Sequence, residues 1–441
     1  MTVSPRRRRD VLDALRRGTV PASGLDLLAV GLDRFAPALT EALDVAASGG
    51  ATFKAVRGEY GSGKTFLARW LAERALSRGF AVAEVQVSET ETPLHRLETV
   101  YRRVSEALRT SAFPPSALRP VLDGWLYTVE SDVTAADPRL RPGGAGFEPA
   151  VEQLLERRLA AVRTTAPAFA LALRAYRRLS EAGQAADADG IVAWLGGQPH
   201  VAAAAKRAAG VRGDLDHFGA LGFLQGLLAV LRDSGHPGLL LVLDEVETLQ
   251  RARGDVRDKA LNALRQLLDE IDAGRFPGLV LVLTGTPAFF DGPSGVPRLP
   301  PLAQRLATDF SGDPRFDNPR AAQLRLPGFD ERALRELGSR VRDLYADGSS
   351  SHRLTGVVDD SYVAALASAV TGSLGGKVGV APRIFLKKLV ADVLDRVDQF
   401  DDWDPRRDYA LTLRREELTA AERAVLRPPS AQSLDDVELD L

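Results

Sequence analysis

One short segment constrains the fold of this 441-residue chain more than any other. It reads, in order, Gly58, Glu59, Tyr60, Gly61, Ser62, Gly63, Lys64 and Thr65. Its glycines let backbone N–H groups curl around phosphate oxygens where a Cβ atom would clash. A short predicted strand with the apolar residues Phe53, Ala55 and Val56 precedes the segment, and helical periodicity over Thr65–Ser77 follows it. Because strand, loop and helix occur in this order, the segment predicts a P-loop that binds nucleotide phosphates at a helix N-terminus.

Two residues of this loop have separate predicted roles. The ammonium of Lys64 is expected to reach the β- and γ-phosphates, and the hydroxyl of Thr65 is expected to ligate Mg²⁺. All eight residues from Gly58 to Thr65 are predicted to contact the nucleotide. The alternative is a glycine-rich turn with a chance lysine, which the strand–loop–helix order disfavours.

A second signal is a pair of carboxylates at the end of an apolar run, Gly238–Glu245. The carboxyl end of a buried parallel strand is the edge at which such sheets bind ligands. Asp244 is predicted to hold Mg²⁺, and Glu245 is predicted to polarise the attacking water. The alternative is an acidic pair that ends the strand or caps the next helix. Glu247 is expected at the surface.

Three further residues are candidates for contacts with the γ-phosphate. Thr284 ends the apolar run Gly278–Thr286 and could bind the phosphate or the nucleophilic water, with Thr286 as its rival on the same strand face. Arg305 follows that strand and a proline-rich loop, where an oligomeric ATPase would present an arginine to its neighbour. Arg383 begins a later helix from which its guanidinium could reach the γ-phosphate. The alternative for each is an ordinary strand end or a solvated surface arginine.

The remaining pattern places these motifs in an α/β fold with a parallel sheet. Further strands are predicted at Ala81–Val87 and Gln323–Phe329, and nearly continuous helical periodicity fills 94–234. Four parts are therefore predicted: an N-terminal helical segment at 1–50, a P-loop core at 51–328 with a helical insertion at 94–234, a helical lid at 329–426 and an acidic tail at 427–441. A small winged-helix-like element at the end of the lid is an alternative prediction.

Composition limits the other possibilities. The net charge is −2, so a nucleic-acid coat over the whole surface is not expected, although a local basic groove is compatible with it. The chain has no cysteine, which excludes disulfides, thiol nucleophiles and thiolate zinc sites. Neither a signal peptide nor a membrane span is expected, and the predicted location is the cytoplasm. The run Arg6–Arg9 is interpreted as a solvated, mobile arm, with contact to DNA phosphates as the alternative. Helices with arginines along one face, near 101–109 and 174–182, suggest a basic stripe, but the glutamates in the same helices favour ordinary solvated faces.

Taken together, these motifs resemble the AAA+ ATPases of the additional-strand P-loop class, with a lid spacing like that of the origin-recognition branch. Residues 16–35 and 88–104 are more narrowly similar to BrxD, the ATP-binding protein family of BREX phage-defence systems. The resemblance covers roughly Arg7 to Ala424. It implies ATP and Mg²⁺ as cofactors, a homo-oligomer, and helicase or methylation proteins of the same defence system as partners, with DNA as a further partner.

The resemblance leaves the role of the ATPase open. One interpretation is a motor or loader that acts on partner proteins at DNA and hydrolyses ATP with Glu245 as the base. A second is a nucleotide-binding switch with slow turnover that assembles a defence complex without contacting DNA. A third is an adaptor in which ATP only stabilises the fold, and the intact Asp244–Glu245 pair argues against it.

Overall fold

A five-stranded parallel sheet organises the computed structural model, which describes residues 3–349, 352–373 and 381–411. The strands are β1 (Thr52–Arg57), β2 (Ala81–Gln86), β3 (Leu239–Asp244), β4 (Leu279–Gly285) and β5 (Gln323–Arg325). Their order across the sheet is β2-β3-β4-β1-β5, and every pairing is parallel. An extra strand, β4, thus separates the P-loop strand β1 from the acidic strand β3. The α/β parallel-sheet fold predicted from the sequence is confirmed.

Strands β3 and β4 are apolar along most of their length and are buried on both faces of the sheet. All seven residues of β4 are buried, and so are the first five of β3. Near-continuous runs of Val and Leu are typical of such doubly covered parallel strands. The register pairs Gln86 with Asp244 and Val56 with Thr284, so polar residues from several strands end at one edge of the sheet.

Helices make up most of the rest of the described chain. The first group is α1 (Pro5–Arg17), α2 (Ala36–Ala47), α3 (Lys64–Ser77), α4 (Leu97–Ala107), α5 (Leu118–Ala136), α6 (Phe147–Thr165), α7 (Pro167–Glu181), α8 (Ala185–Leu195), α9 (Ala203–Ala208) and α10 (His217–Asp233). The second group is α11 (Gly254–Asp272), α12 (Pro287–Asp291), α13 (Pro300–Arg305), α14 (Glu331–Ala346), α15 (Leu354–Val357), α16 (Asp360–Ser373), α17 (Ala381–Lys387), α18 (Asp395–Gln399) and α19 (Pro405–Asp408). Short 3-10 helices are Leu25–Leu28, Val246–Arg251, Val296–Arg298 and Pro314–Phe316.

The chain divides into two compact units, and the larger holds Arg34–Arg57 and Leu71–Arg325. Its core includes the sheet and the helices α4 to α10 between β2 and β3. In those helices Phe223 is surrounded by three aromatic rings, those of Tyr101, Phe169 and Trp194, at centroid distances of 5.7, 5.2 and 5.2 Å. Edge-to-face contacts of this kind add to the burial of apolar surface, so the insertion extends the core of the sheet.

The second unit holds Met1–Asp33, Gly58–Trp70 and Leu326–Leu441, as far as these residues are described. Its core joins Val11, Leu12 and Leu15 of α1 to apolar residues of α14, α16 and α17. The prediction of a mobile arm at Arg6–Arg9 is wrong, because these residues form the first turns of α1. The side chain of Ser4 accepts a hydrogen bond from Arg7 N–H and caps that helix.

A π-helical segment, Lys388–Leu394, interrupts the helical stretch between α17 and α18. Lys388 is 6% exposed, and its ammonium lies 3.2 Å from Asp392 Oδ2. The hydroxyl of Tyr409 donates to the same carboxylate oxygen over 3.1 Å. One turn of π-helix carries one residue more than an α-helical turn, so this pair fixes a local change of register.

Other sequence predictions have mixed outcomes. Within the N-terminal segment predicted as helical at 1–50, the 3-10 helix Leu25–Leu28 precedes α2, which begins next to Pro37. Between 329 and 411 the described residues form helices and no strand, and the acidic tail at 427–441 lies outside the described residues. Within the described part of the chain, no helix is long and apolar enough to cross a membrane.

Candidate nucleotide site

The loop from Gly58 to Thr65 has a backbone that only glycine tolerates at several points. Gly61 and Gly63 have φ values of 79° and 92°, in the left-handed region that L residues rarely adopt. A Cβ atom at Gly58 would lie 2.4 Å from Ser62 Oγ and 3.1 Å from the carbonyl oxygen of Leu326. The loop therefore forms a cradle whose floor a side chain would fill, which fits the approach of phosphate groups to the backbone.

Lys64 is the first residue of α3 and is only 8% exposed. Its ammonium donates to the carbonyl oxygens of Gly58 (2.8 Å) and Glu59 (3.1 Å), and it lies 5.3 Å from the centroid of the Tyr60 ring. A cation held by loop carbonyls near a helix N-terminus produces a positive centre inside the cradle. This is the charge that polyphosphate requires.

Two hydroxyls complete the loop. Ser62 is 2% exposed, and its Oγ has no hydrogen-bond partner among the described residues. A buried hydroxyl without a partner costs free energy, which a phosphate oxygen would recover. Thr65, the second residue of α3, is half-buried. The residues of the loop thus fit ATP.

The acidic pair lies at the end of β3. Asp244 is its last residue, and Glu245 follows with φ 61° and ψ 44°, a left-handed conformation that is rare outside glycine. The backbone N–H of Glu245 donates to Asp244 Oδ1 (3.1 Å) and to Thr284 Oγ1 (3.2 Å). This strained backbone is held by two acceptors, an arrangement that occurs preferentially at functional sites.

Thr284 ties the ends of β3 and β4 together. It is fully buried, and its hydroxyl donates to Asp244 Oδ1 while it accepts from the Glu245 N–H. Thr286, the alternative candidate, is also buried, but no hydrogen bond of its hydroxyl is seen within the described residues. The structure therefore brings Asp244, Glu245 and Thr284 together at the carboxyl edge of the sheet.

Sequence reasoning missed Gln86, the last residue of β2. Its side-chain Nε2 donates to Glu245 Oε2 over 2.9 Å. The only sequence signal for this contact is that Gln86 ends a predicted strand as a polar residue. The pairing of β2 with β3, which sets Gln86 opposite Asp244, cannot be read from the residues themselves.

The prediction that Glu247 lies at the surface is wrong. Glu247 is only 5% exposed and lies within the 3-10 helix Val246–Arg251. A 3-10 helix turns more tightly than an α-helix, so a residue two positions after Glu245 lies on a different face from the one that α-helical spacing predicts.

The two candidate arginines have different surroundings. The guanidinium of Arg305, at the end of α13, forms an ion pair with Asp269 of α11 and lies 3.9 Å from Asp272. Arg383, in α17, is half-buried, and a Cβ atom at Gly18 would lie 3.5 Å from its Nη1. Arg305 is thus engaged with carboxylates of its own chain, whereas Arg383 lies beside the end of α1.

The chain also offers oxygen donors suited to Mg²⁺. These are the Thr65 hydroxyl and the Asp244 carboxylate, both of the hard-oxygen class that Mg²⁺ prefers. Among the described residues there is no group of three or more His, Cys, Asp or Glu side chains that could hold a metal ion. Mg²⁺ bound with substrate phosphates needs only one or two carboxylates, so the chemistry of each of these donors suits the ion.

Comparisons with known proteins were made against families, curated proteins and solved structures. No curated protein matches the chain. A solved structure of the Aeropyrum pernix ORC2 protein, in ADPNP–ADP complexes, shares 13% identity with it, at a TM-score of 0.34 over 81% of this chain and 67% of that one. The family model for the BREX system ATP-binding protein BrxC/D matches residues 3–413. The match covers nearly the whole chain and confirms the resemblance seen in the sequence, so this chain belongs to the BREX system ATP-binding protein BrxC/D family.

Proposed function

We propose that this chain binds Mg·ATP, hydrolyses it with Glu245 as the base, and uses the turnover to load or regulate partner proteins on DNA in BREX defence. The observation that carries the proposal is the cluster at the end of β3 and β4, in which Thr284 connects the Asp244 carboxylate to the backbone of Glu245. Such a cluster orients two carboxylates separately, one as a ligand and one as a base. A merely structural acidic pair would not need this orientation.

The roles of the residues follow from their chemistry. Lys64 and the N–H groups of the Gly58–Thr65 loop would bind the β- and γ-phosphates. When bound through Thr65 and Asp244, Mg²⁺ would neutralise charge on those phosphates. Glu245 would accept a proton from the attacking water, and Thr284 would hold the backbone of Glu245 so that its carboxylate keeps one orientation.

The two arginines are proposed to stabilise the charge that develops on the phosphates. Arg383 begins a lid helix in this proposal and acts within its own subunit. Arg305 would act on a neighbouring subunit, and for this its guanidinium must leave Asp269. Lys64, Thr284, Glu245 and both arginines are therefore the residues to which catalysis is assigned.

A second candidate function is a nucleotide switch with slow turnover, and one contact favours it. Gln86 donates a hydrogen bond to Glu245 Oε2, so this oxygen must leave Gln86 before it can accept a proton from the attacking water. Turnover would then be slow until a partner breaks this contact. The switch would assemble a defence complex without contacting DNA.

The partners are proposed from family membership. Other proteins of the BREX system, with helicase or methylation components as candidates, would be the clients of the ATPase. A homo-oligomer would allow one subunit to supply Arg305 to the next.

The test is steady-state ATP turnover of the purified chain, with and without single-stranded or duplex DNA, compared with Lys64→Ala and Glu245→Gln. Loss of a general base lowers turnover by about 10²–10⁴-fold, so Glu245→Gln should be nearly inactive while it still binds ATP. Glu336→Gln, an exposed carboxylate on α14, is the matched control and should keep wild-type turnover. Tight ATP binding with no turnover in any condition would reject the motor and favour the switch.

A further inference from the structure

The arginines that looked like a basic stripe are occupied by ion pairs. Arg103 of α4 lies 2.9 Å from Glu106 and 3.4 Å from Glu91, and Arg177 of α7 lies 2.6 Å from Glu181. Because their charges are compensated within the same helices, these faces are not a strong attraction for polyanions.

Two other cationic side chains have no carboxylate partner among the described residues. Arg96 and Lys259 are exposed and form no ion pair with any described residue. Arg96 precedes α4, and Lys259 lies in the second turn of α11. The segment of Arg96 is held to the start of α10, since Leu97 N–H donates to His217 Nδ1 (3.4 Å). We name His95, Arg96, His217, Phe218 and Lys259 the cationic surface.

The charges of this surface lie close enough to affect one another. The pKa of His95 is lowered by burial and by the positive charges of Arg96 and Lys259, while Glu98 opposes the shift. Two carboxylates in the neighbouring segments have other partners: Asp216 accepts from Gly219 N–H (2.7 Å) and Asp258 pairs with Arg298 (2.8 Å). In a chain of net charge −2, this is a local excess of positive charge.

An exposed aromatic ring stands within the same surface. Phe218 is 87% exposed, more than any other exposed large apolar residue in the described chain. It follows His217, with the two rings edge to face at 5.6 Å. Asp216 caps α10 and so fixes the start of the helix that carries both rings. Exposing a whole phenylalanine ring to water is unfavourable unless it has a partner to cover it.

We propose that the cationic surface binds single-stranded nucleic acid, with phosphates at Arg96 and Lys259 and a base stacked on Phe218. This inference rests on the proposed function and names the surface through which this ATPase contacts DNA. The pairing of cations with one open aromatic face is the combination by which proteins hold unpaired strands, because every base has a face for stacking. Duplex DNA offers phosphates but no free base face, so it would engage only the cations.

The surface is also placed to influence the proposed chemistry. The chain leaves β2 at Gln86, which contacts Glu245, and reaches His95 and Arg96 within the next ten residues. Just after Glu245 in the chain, Thr248 Oγ1 of the 3-10 helix Val246–Arg251 donates to the carbonyl oxygen of Val87 over 3.2 Å. Nucleic acid bound here would act on the segments that hold Glu245.

The experiment is fluorescence anisotropy of a labelled oligo-dT strand with the full chain, over a range of salt concentrations. Arg96→Glu and Lys259→Glu should each weaken binding and lower the slope of log affinity against log salt by about one, because each removes a phosphate contact. Phe218→Ala should weaken dT binding about tenfold and leave duplex binding nearly unchanged. Matched controls are Arg141→Glu and Tyr127→Ala, an exposed arginine and a 72% exposed tyrosine elsewhere.

Three results would overturn the proposal: no binding of dT by the wild-type chain at low salt, equal losses in the Arg141→Glu control, or Phe218→Ala binding dT as wild type does. ATP turnover without nucleic acid is measured on the same variants and should be unchanged. If turnover is absent while dT binding depends on Arg96 and Phe218, the proposed hydrolysis fails and the surface stands. If turnover is normal and dT binding is absent, the surface fails alone, and a protein partner becomes the occupant of Phe218.

Discussion

Gln86 Nε2 lies 2.9 Å from Glu245 Oε2, so the last residue of β2 holds the carboxylate that follows β3. If Glu245 is the base, this oxygen must leave Gln86 before it can accept a proton from the attacking water. We expect Gln86→Ala to raise basal ATP turnover several-fold and to leave ATP affinity unchanged. Gln250→Ala, which removes a 2.9 Å hydrogen bond to the carbonyl of Ala288, is the control. A fall in turnover in Gln86→Ala would instead mean that Gln86 positions Glu245.

Thr284 is expected to matter through its hydroxyl and not through its shape. Thr284→Val keeps the volume but leaves the N–H of Glu245 and one oxygen of Asp244 with a lost partner, which costs about 1–3 kcal/mol of unfolding free energy. Turnover should fall as well, because Glu245 loses its orientation. Thr284→Ser keeps the hydroxyl and should retain most of both properties. Urea unfolding and turnover measured on the two variants check this, and equal behaviour of Val and Ser would contradict it.

The left-handed backbone of Glu245 predicts an inverted order of two substitutions. At φ 61° an alanine is strained by roughly 1–2 kcal/mol, whereas glycine is not. We therefore expect Glu245→Gly to unfold at higher urea concentration than Glu245→Ala. At Glu270 inside α11 the order should reverse, with alanine more stable than glycine by about 0.5–1 kcal/mol. If alanine is more stable than glycine at both positions, the backbone of Glu245 is unstrained.

Gly58 is predicted to reject any side chain. A Cβ atom 2.4 Å from Ser62 Oγ forces the loop to shift, and overpacking of this kind costs about 1–3 kcal/mol. Gly58→Ala should weaken ATP binding and lower the unfolding temperature. Gly124→Ala in α5, where no atom lies within 4 Å, should instead stabilise the chain. Calorimetric ATP titration and thermal unfolding of the two variants separate a local clash from a general effect of adding a methyl group.

Asp359 should make stability depend on acid. Hydrogen bonds from Ser361 and from the Tyr362 N–H lower the pKa of Asp359 to about 2, below the value of about 3.9 in an unfolded chain. Its contribution is therefore complete above about pH 4 and is lost as the pH falls towards 2. Asp359→Asn should unfold at a lower temperature than wild type near pH 7, and the difference should shrink between pH 4 and pH 2. Ser361→Ala, which removes the largest cause of the lowering, should give a smaller difference of the same kind.

Much of the sheet could be predicted from the sequence, because runs such as Leu239–Asp244 and Leu279–Gly285 are apolar on both faces and end in polar residues. Their ends were placed within about two residues, which is the usual accuracy of boundaries. The site residues at these ends follow from the same logic, since all parallel strands present their carboxyl ends at one edge. Their functional roles stay predictions.

The contacts across strands could not be predicted. The hydrogen bond between Gln86 and Glu245 depends on the register of β2 against β3, and that of Thr284 with Asp244 depends on β4 lying beside β3. The ion pair of Arg305 with Asp269 joins residues that are distant in sequence. Glu247 was misplaced because a 3-10 helix and an α-helix share the same residue types but differ in pitch. The predicted limits of the insertion and lid stay predictions.

The π-helical segment Lys388–Leu394 also sets the rotation of the preceding helix α17 about its axis, relative to the residues that follow. One residue corresponds to about 100° of rotation around a helix axis. A chain with a single residue deleted from this segment could continue as regular α-helix, with Arg383 turned by about a quarter of a circle relative to the buried face of the residues that follow. The extra residue of the π-helical turn, which the ion pair of Lys388 with Asp392 spans, thus sets the direction in which Arg383 leaves the helix.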